Sequence, residues 1–281
     1  MTAPLFHVLQ SAIEESVHMA IHEDVGDGDI TAQLIPIDDI AIATVITREA
    51  CVLSGMDWFE EVFRQIDDAV LIEWLAEDGD SLEAGQVICS LSGSARSILT
   101  GERAALNFLQ TLSATATRSA EYASAVADTD CIVLDTRKTI PGLRLAQKYA
   151  VSCGGCHNHR IGLYDAVLIK ENHIAAHGSI PGVIEEALFL YPGTLIEIEV
   201  EDMEQLQQAL QTQVTRVLLD NFSLEELRTA VELSNGKLEL EASGNVTLDT
   251  IHDIALTGVN FISTGALTKD IKAIDLSMRF S

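Results

Sequence analysis

Positive charge is scarce in this 281-residue chain: 17 Lys and Arg stand against 43 Asp and Glu, for a formal net charge of −26 and a pI near 4.4. That balance argues against a nucleic-acid groove, which needs a basic face to meet phosphates, and against docking on an anionic membrane. Long apolar runs are lacking too. None reaches the roughly 20 residues needed to span a bilayer. The opening MTAPLFHVLQSAIEES has neither a basic leader nor a sustained apolar stretch, so no secretory signal is expected. The cysteines (Cys51, Cys89, Cys131, Cys153 and Cys156) are odd in number and scattered, which does not suggest a disulfide framework. A cytoplasmic location with reduced thiols is the expectation. Hydrophobic content of 47 % and charged content of 21 % suit an ordinary globular protein with one or two domains.

The few cations present are unevenly spread. Six of them (Arg137, Lys138, Arg144, Lys148, Arg160 and Lys170) fall between Asp135 and His173, and Asp165 is the only carboxylate between Thr136 and Lys170. Solubility gives so acidic a chain no reason to gather cations. A site for a small, highly charged anion does. Salt screens the distant acidic surface over roughly 8–10 Å, so a local basic cluster still acts.

Apolar spacing from Pro4 to Met19 predicts an N-terminal helix, and EDVGDGDIT from Glu23 to Thr31 a turn. Residues 41–91 show short β-type runs, with a hairpin connection expected at Ala84-Gly85-Gln86. A long helix is expected over Ser97–Ala127, with the domain boundary near Leu112, giving domains 1–112 and 113–281. Beyond Cys131, buried-type strands alternate with helices: CIVLD, AVLIK, LIEIEV, RVLLD, LELEAS and NFIST. The last four recur about every 21–22 residues. Alternation of this kind implies a parallel sheet with helices outside, and six units favour a closed or nearly closed β/α barrel, with any remaining position filled by a strand not visible in the sequence.

Functional residues of such barrels sit where strands end. Arg137 and Lys138 follow the first run, Lys170 ends the second, Glu199 and Asp220 end the next two, Ser243-Gly244-Asn245 follow the fifth, and Thr264-Gly265 the sixth. The last two loops read as a phosphate cradle, with Thr247 as an N-cap and helix N-termini offering free N–H groups. Glu199 and Asp220 suit Mg²⁺, sugar hydroxyls or neutralisation of Lys170. Lys170 also suits a Schiff-base role. Cys153-Gly-Gly-Cys156-His157 spells C-x-x-C-H, a spacing shared with haem attachment and zinc sites, although no second Cys pair accompanies it. The preferred reading is a Gly-containing loop that delivers His159 and Arg160.

DTRKTIPGLR, NHRIGLYDAVLIKENHI, EIEVE, LLDNF, EASGNVTL and ISTGALT, with EDVGDGDIT and GERAALNFLQ ahead of them, resemble the quinolinate phosphoribosyltransferase family from about Glu23 onward. The resemblance implies an N-terminal α/β sandwich and a C-terminal incomplete β/α barrel. It implies transfer of phosphoribose from phosphoribosyl pyrophosphate to quinolinate with decarboxylation, giving nicotinate mononucleotide, pyrophosphate and CO₂ in NAD biosynthesis. It also implies a homodimer with a shared active site. Thr136, Arg137, Lys138, His159, Arg160 and Lys170 would line the pocket, with Arg103 supplied by the partner subunit. Glu199 and Asp220 would serve ribose and Mg²⁺, and Ser243, Gly244, Asn245 and Gly265 would hold the 5′-phosphate. Lys138, Lys170, Glu199 and Asp220 would carry the catalytic work. Cys156 and His157 depart from the family's usual small residues. A related protein of the same fold from molybdenum transport operons remains an alternative.

Overall fold

The computed structural model describes residues Ala3 to Phe280. Along the chain run α1 (Ala3–Val25), a 3₁₀ turn (Ala32–Leu34), β1 (Ile40–Thr47), β2 (Cys51–Val52), α2 (Met56–Ile66), β3 (Leu71–Trp74), β4 (Ser81–Leu82), β5 (Val87–Ser94) and α3 (Ala95–Ala125). There follow β6 (Ile132–Leu134), α4 (Arg144–Cys153), β7 (Val167–Ile169), α5 (Glu171–His177), α6 (Ile180–Leu190), β8 (Ile196–Val200), α7 (Met203–Ala209) and β9 (Arg216–Asp220). The last elements are α8 (Leu224–Ser234), β10 (Glu239–Ser243), α9 (Ile251–Ala255), β11 (Phe261–Ser263), α10 (Ala266–Lys269) and β12 (Leu276–Phe280).

These elements form two compact units that interleave in sequence. The first comprises residues 1–120, 140–155 and 270–281; the second comprises 121–139 and 156–269. In sequence, α3 continues from one into the other, and both α4 and β12 belong to the first.

The first unit is built on an antiparallel sheet of order β12-β1-β5-β3. Its core holds Trp58, Phe59 and Phe63 from α2 with Ile98, Leu106, Leu109 and Leu112 from α3, all fully buried. Each such side chain contributes about 1.5–3 kcal/mol by burial. The apolar residues of α2 recur at helical spacing, and the Asp78 carboxylate accepts from the Gly55 and Met56 N–H groups at 3.1 and 3.3 Å, satisfying its N-terminus. The expected hairpin at Ala84-Gly85-Gln86 is not one. The turn exists, but β4 pairs with β2 whereas β5 pairs with β1 and β3.

The second unit holds six parallel strands of order β6-β11-β10-β9-β8-β7. Five consecutive strands lie side by side and the first stands beside the last. That is the order of strands around a barrel, opened between β6 and β7. On the free edge of β6, a parallel bridge joins Leu134 to His157, so the barrel position with no strand visible in the sequence holds a fragment of extended chain. Ser179 caps α6, Asp202 caps α7, and Ser223 with Glu226 forms a reciprocal capping box on α8.

Candidate active site

At the C-terminal ends of these strands lies a cavity of about 160 Å³. Four cations from the first two strand ends and the loop between them line it: Arg137, Lys138, Arg160 and Lys170. Thr136, His159, Leu168, Glu199, Leu218, Glu241, Ser243 and Ser263 complete the wall.

Local hydrogen bonds explain how each cation is aimed. Asp135, fully buried at the end of β6, accepts from the His159 N–H at 2.9 Å and from the Asn158 amide at 2.8 Å. It thereby fixes the segment carrying His159 and Arg160. Asp165, the lone carboxylate of the basic stretch, accepts from the Ile161 and Gly162 N–H groups at 2.7 and 2.8 Å, so it shapes this loop. Thr136 Oγ1 accepts from the Lys138 N–H at 3.0 Å, and Thr268 Oγ1 donates to the Lys138 carbonyl at 2.8 Å. A Cβ on Gly265 would stand 3.0 Å from Lys138 Cδ and 3.3 Å from its Cβ; the absent side chain leaves room for the lysine stem. Burial, and then the neighbouring Arg137, pull the Arg160 guanidinium below its ordinary pKa. This is the electrostatic cost of crowding cations, and an anion between them relieves it.

Lys170 pairs with Glu199 across β7 and β8. That ion pair engages Nζ with a carboxylate, whereas a Schiff-base lysine needs Nζ free to attack a carbonyl. Asp220 ends β9 and accepts from the Asn221 amide at 2.8 Å. The turn after β10 is tightly wound: Gly244 has φ 98° and Asn245 φ 53°, beside Asn221 at φ 58°. The Asn245 amide donates to Asn221 Oδ1 at 3.2 Å.

Of the residues singled out from the sequence, the cavity brings together Thr136, Arg137, Lys138, His159, Arg160, Lys170, Glu199 and Ser243. Asp220, Gly244, Asn245 and Gly265 sit at or just after the ends of β9, β10 and β11 without lining it. Arg103 lies on α3 in the first unit, 58 % exposed with Glu102 beside it. Thr247 is not an N-cap: α9 begins at Ile251, and Thr247 instead bonds with Thr250. With α9 spanning five residues and α10 four, helix dipoles add little there; loop N–H groups are left as the anion donors. Cys156 is buried and its thiol is pushed up to about 12, which disfavours the thiolate a metal requires.

Two residues escaped the sequence reading. Glu197 and Glu241 point into the barrel interior, 1 % and 0 % exposed. His159 Nε2 lies 2.9 Å from Glu197 Oε2 and 3.6 Å from Glu241 Oε2. Burial raises both carboxyls, and Glu197 raises Glu241 further. The available signal was alternation: IEIEV and ELEAS place glutamates two apart within otherwise apolar strands.

A cation-lined cavity at the open strand ends of an incomplete β/α barrel defines a barrel enzyme acting on a small polyanion. Comparison with known proteins makes this specific. Residues 29–113 match the family model for the N-terminal domain of quinolinate phosphoribosyl transferase, and residues 115–279 the model for its C-terminal domain. A quinolinate phosphoribosyltransferase [decarboxylating] of Nicotiana glauca is 38 % identical over 95 % of this chain and 82 % of its own length. A probable nicotinate-nucleotide pyrophosphorylase [carboxylating] of Synechocystis is 40 % identical over 92 % of this chain and 88 % of its own. The solved nicotinate-nucleotide pyrophosphorylase of Francisella tularensis superposes with TM-score 0.95 at 47 % identity, covering 97 % of both chains. The chain belongs to the quinolinate phosphoribosyltransferase family.

Proposed function

We propose that this chain transfers phosphoribose from phosphoribosyl pyrophosphate to the ring nitrogen of quinolinate and releases pyrophosphate and CO₂, giving nicotinate mononucleotide. The observation that carries this reading is the convergence of Arg137, Lys138, Arg160 and Lys170 on one cavity of about 160 Å³. A dicarboxylate and a pyrophosphate need several preorganised cations. The ring nitrogen is the nucleophile, so the protein need not supply one. Loss of pyrophosphate leaves an oxocarbenium-like ribosyl carbon, which Glu199 suits. Decarboxylation leaves electron density on the ring carbon beside the nitrogen, which the pyridinium and the nearby cations offset. The protein positions and neutralises.

Glu199 and Asp220, hard oxygen donors near the ends of adjacent strands, fit Mg²⁺ held with the pyrophosphate. When bound, the ion would neutralise phosphate charge. The turn at Ser243, Gly244 and Asn245, with Gly265, would receive the 5′-phosphate. The working form is a homodimer in which Arg103 of one subunit completes its neighbour's site. The exposure of Arg103 supports this. So does an apolar outer sheet face, on which Ile42 stands opposite Ser92, itself opposite Leu71, with Ile42 and Leu71 more than half exposed. The five free cysteines accord with a reducing cytoplasm.

The test is CO₂ release from carboxyl-labelled quinolinate, dependent on phosphoribosyl pyrophosphate and suppressed by a Mg²⁺ chelator. Folded protein that releases none refutes the reading. For the shared site, R103A and K170A proteins are mixed after reversible dissociation. Random pairing should restore about a quarter of wild-type activity, since half the dimers then hold one intact site. No restoration in mixed dimers refutes it.

A further inference from the structure

The pair Glu197–Glu241 has no assigned work, and its hydrogen bonding does not balance as two carboxylates. Glu197 Oε1 and both oxygens of Glu241 are buried without a hydrogen-bond partner. Buried polar atoms in folded proteins are satisfied, because an orphaned one costs its full desolvation. Something must therefore stand between these groups.

A metal ion is one candidate, since His159, Glu197 and Glu241 bring three ligand atoms within 4.8 Å of one another. The hydrogen bonds of His159 exclude it. Its Nδ1 accepts from the Arg160 N–H at 2.7 Å, so that nitrogen carries no proton. The neutral ring then holds its hydrogen on Nε2, where it donates to Glu197 at 2.9 Å and cannot ligate a metal. The charges of Arg216 and Arg160 also act on Glu197, so a divalent cation would enter a place already served by guanidinium groups. A single hydrogen on Glu241, donated to Glu197 Oε1, satisfies two of the three oxygens, and the Ser263 hydroxyl also acts on Glu241.

We propose that Glu197 and Glu241 are positioning residues for the reaction: sharing one hydrogen at the cavity wall, they hold His159 in its Nε2–H tautomer, and His159 in turn fixes the Arg160 backbone and so the place of the Arg160 guanidinium. The chain of bonds runs from Glu241 to Glu197, to the imidazole, to the Arg160 N–H. Neither glutamate moves a proton to substrate. This role rests on the phosphoribosyl-transfer reading for its kinetic consequence but not for its geometry.

Glutamine substitutions test it, because one amide beside one carboxylate preserves one donor between the pair. E197Q should keep kcat and quinolinate KM within about threefold of wild type, and E241Q should keep the His159 tautomer. E197M, similar in volume but unable to accept from Nε2–H, should raise quinolinate KM by about 10- to 100-fold, the usual cost of a displaced binding group, with a smaller change in the KM for phosphoribosyl pyrophosphate. Nitrogen-15 NMR of the His159 ring should show one Nε2–H tautomer in wild type and E197Q, and lose it in E197M. The NMR readout needs no turnover, so an inactive wild type would sink the reaction while leaving this arrangement open to test. An E197Q enzyme as impaired as E197M would overturn the proposal and point to an acid role, and loss of the tautomer in E241Q would overturn it too. A metal ion that native mass spectrometry finds bound to wild type and absent from E241Q would also overturn it. Should E197M not fold, the two Gln variants and the wild-type tautomer still decide.

Discussion

Replacing Gly244 by Ala should cripple binding of the phosphorylated substrate while leaving the protein folded. Gly244 has φ +98°, and a Cβ there would lie 2.2 Å from Asn221 Oδ1, 2.7 Å from its Cγ and 3.1 Å from its backbone nitrogen. An L-residue in left-handed backbone costs about 1–2 kcal/mol. The Asn221 amide must also swing away. That breaks its 2.8 Å bond to Asp220 and the 3.2 Å bond from Asn245, each contributing about 0.5–1.5 kcal/mol. The sum is about 2–5 kcal/mol, concentrated in the turn that would hold the 5′-phosphate. If binding must restore the native turn, the affinity loss is at least about 30-fold, at 1.4 kcal/mol per tenfold. Gly193 is the matched control: its φ is +84°, a Cβ added there would meet nothing within 4 Å, and it precedes β8 at the far end of the strand. G193A should pay the backbone strain alone, lowering Tm by a few degrees at about 2–4 °C per kcal/mol, with an unchanged KM. The assay is steady-state kinetics in phosphoribosyl pyrophosphate, with calorimetry of both variants. A wild-type KM in G244A would refute the placing of the phosphate there. An equal rise in both variants would show general softening rather than a local effect.

Other perturbations have outcomes set by the same geometry. R137A and K170A should lose at least about 100-fold in kcat/KM with near-native circular dichroism, because each removes a cation from the cavity wall but none from the core. G265A should crowd the Lys138 stem, contacting it at 3.0 Å, and raise KM by about tenfold with little change in Tm. Ser223→Ala removes the reciprocal cap of α8 and should cost about 1 kcal/mol by denaturant titration, without touching turnover. Asp29 accepts from the Ala32 and Thr31 N–H groups and the Thr100 hydroxyl, and the Ala32 bond above all lowers its carboxyl pKa. Its stabilisation is present above the unfolded-state pKa and disappears as pH falls through the lower folded value, so D29N should flatten the acid limb of a stability profile. An unaltered acid limb would count against that assignment.

The six barrel strands were legible because each is a short apolar run bounded by turn residues, and the cations at their ends stood out against so acidic a chain. Less legible was what local pattern does not encode. MDWFEEVFRQI carries Trp58, Phe59, Val62 and Phe63 at helical spacing, yet its three acidic residues and its place among β-type runs masked α2. The turn at Gly85 is real, but partner choice is a tertiary matter, and β4 found β2. Glu197 and Glu241 were hidden inside strands read as uniformly buried, since a barrel interior that is partly polar differs from an apolar one only in the residue at every second position. The pairing of β12 with β1 joins segments too distant for any local signal.

That pairing bears on how the chain is made. Until β12 leaves the ribosome, β1 is an edge strand with unpaired N–H and C=O groups, a template for any other extended segment. About 230 residues separate the two, so at typical synthesis rates the edge stays open for on the order of ten seconds or more. By the end of that interval every strand of the second unit has already emerged. The first sheet to begin is thus the last to be completed, and nascent chains stalled or cleaved before Leu276 would expose that edge of β1, a route to aggregation that an otherwise well-formed barrel would not prevent.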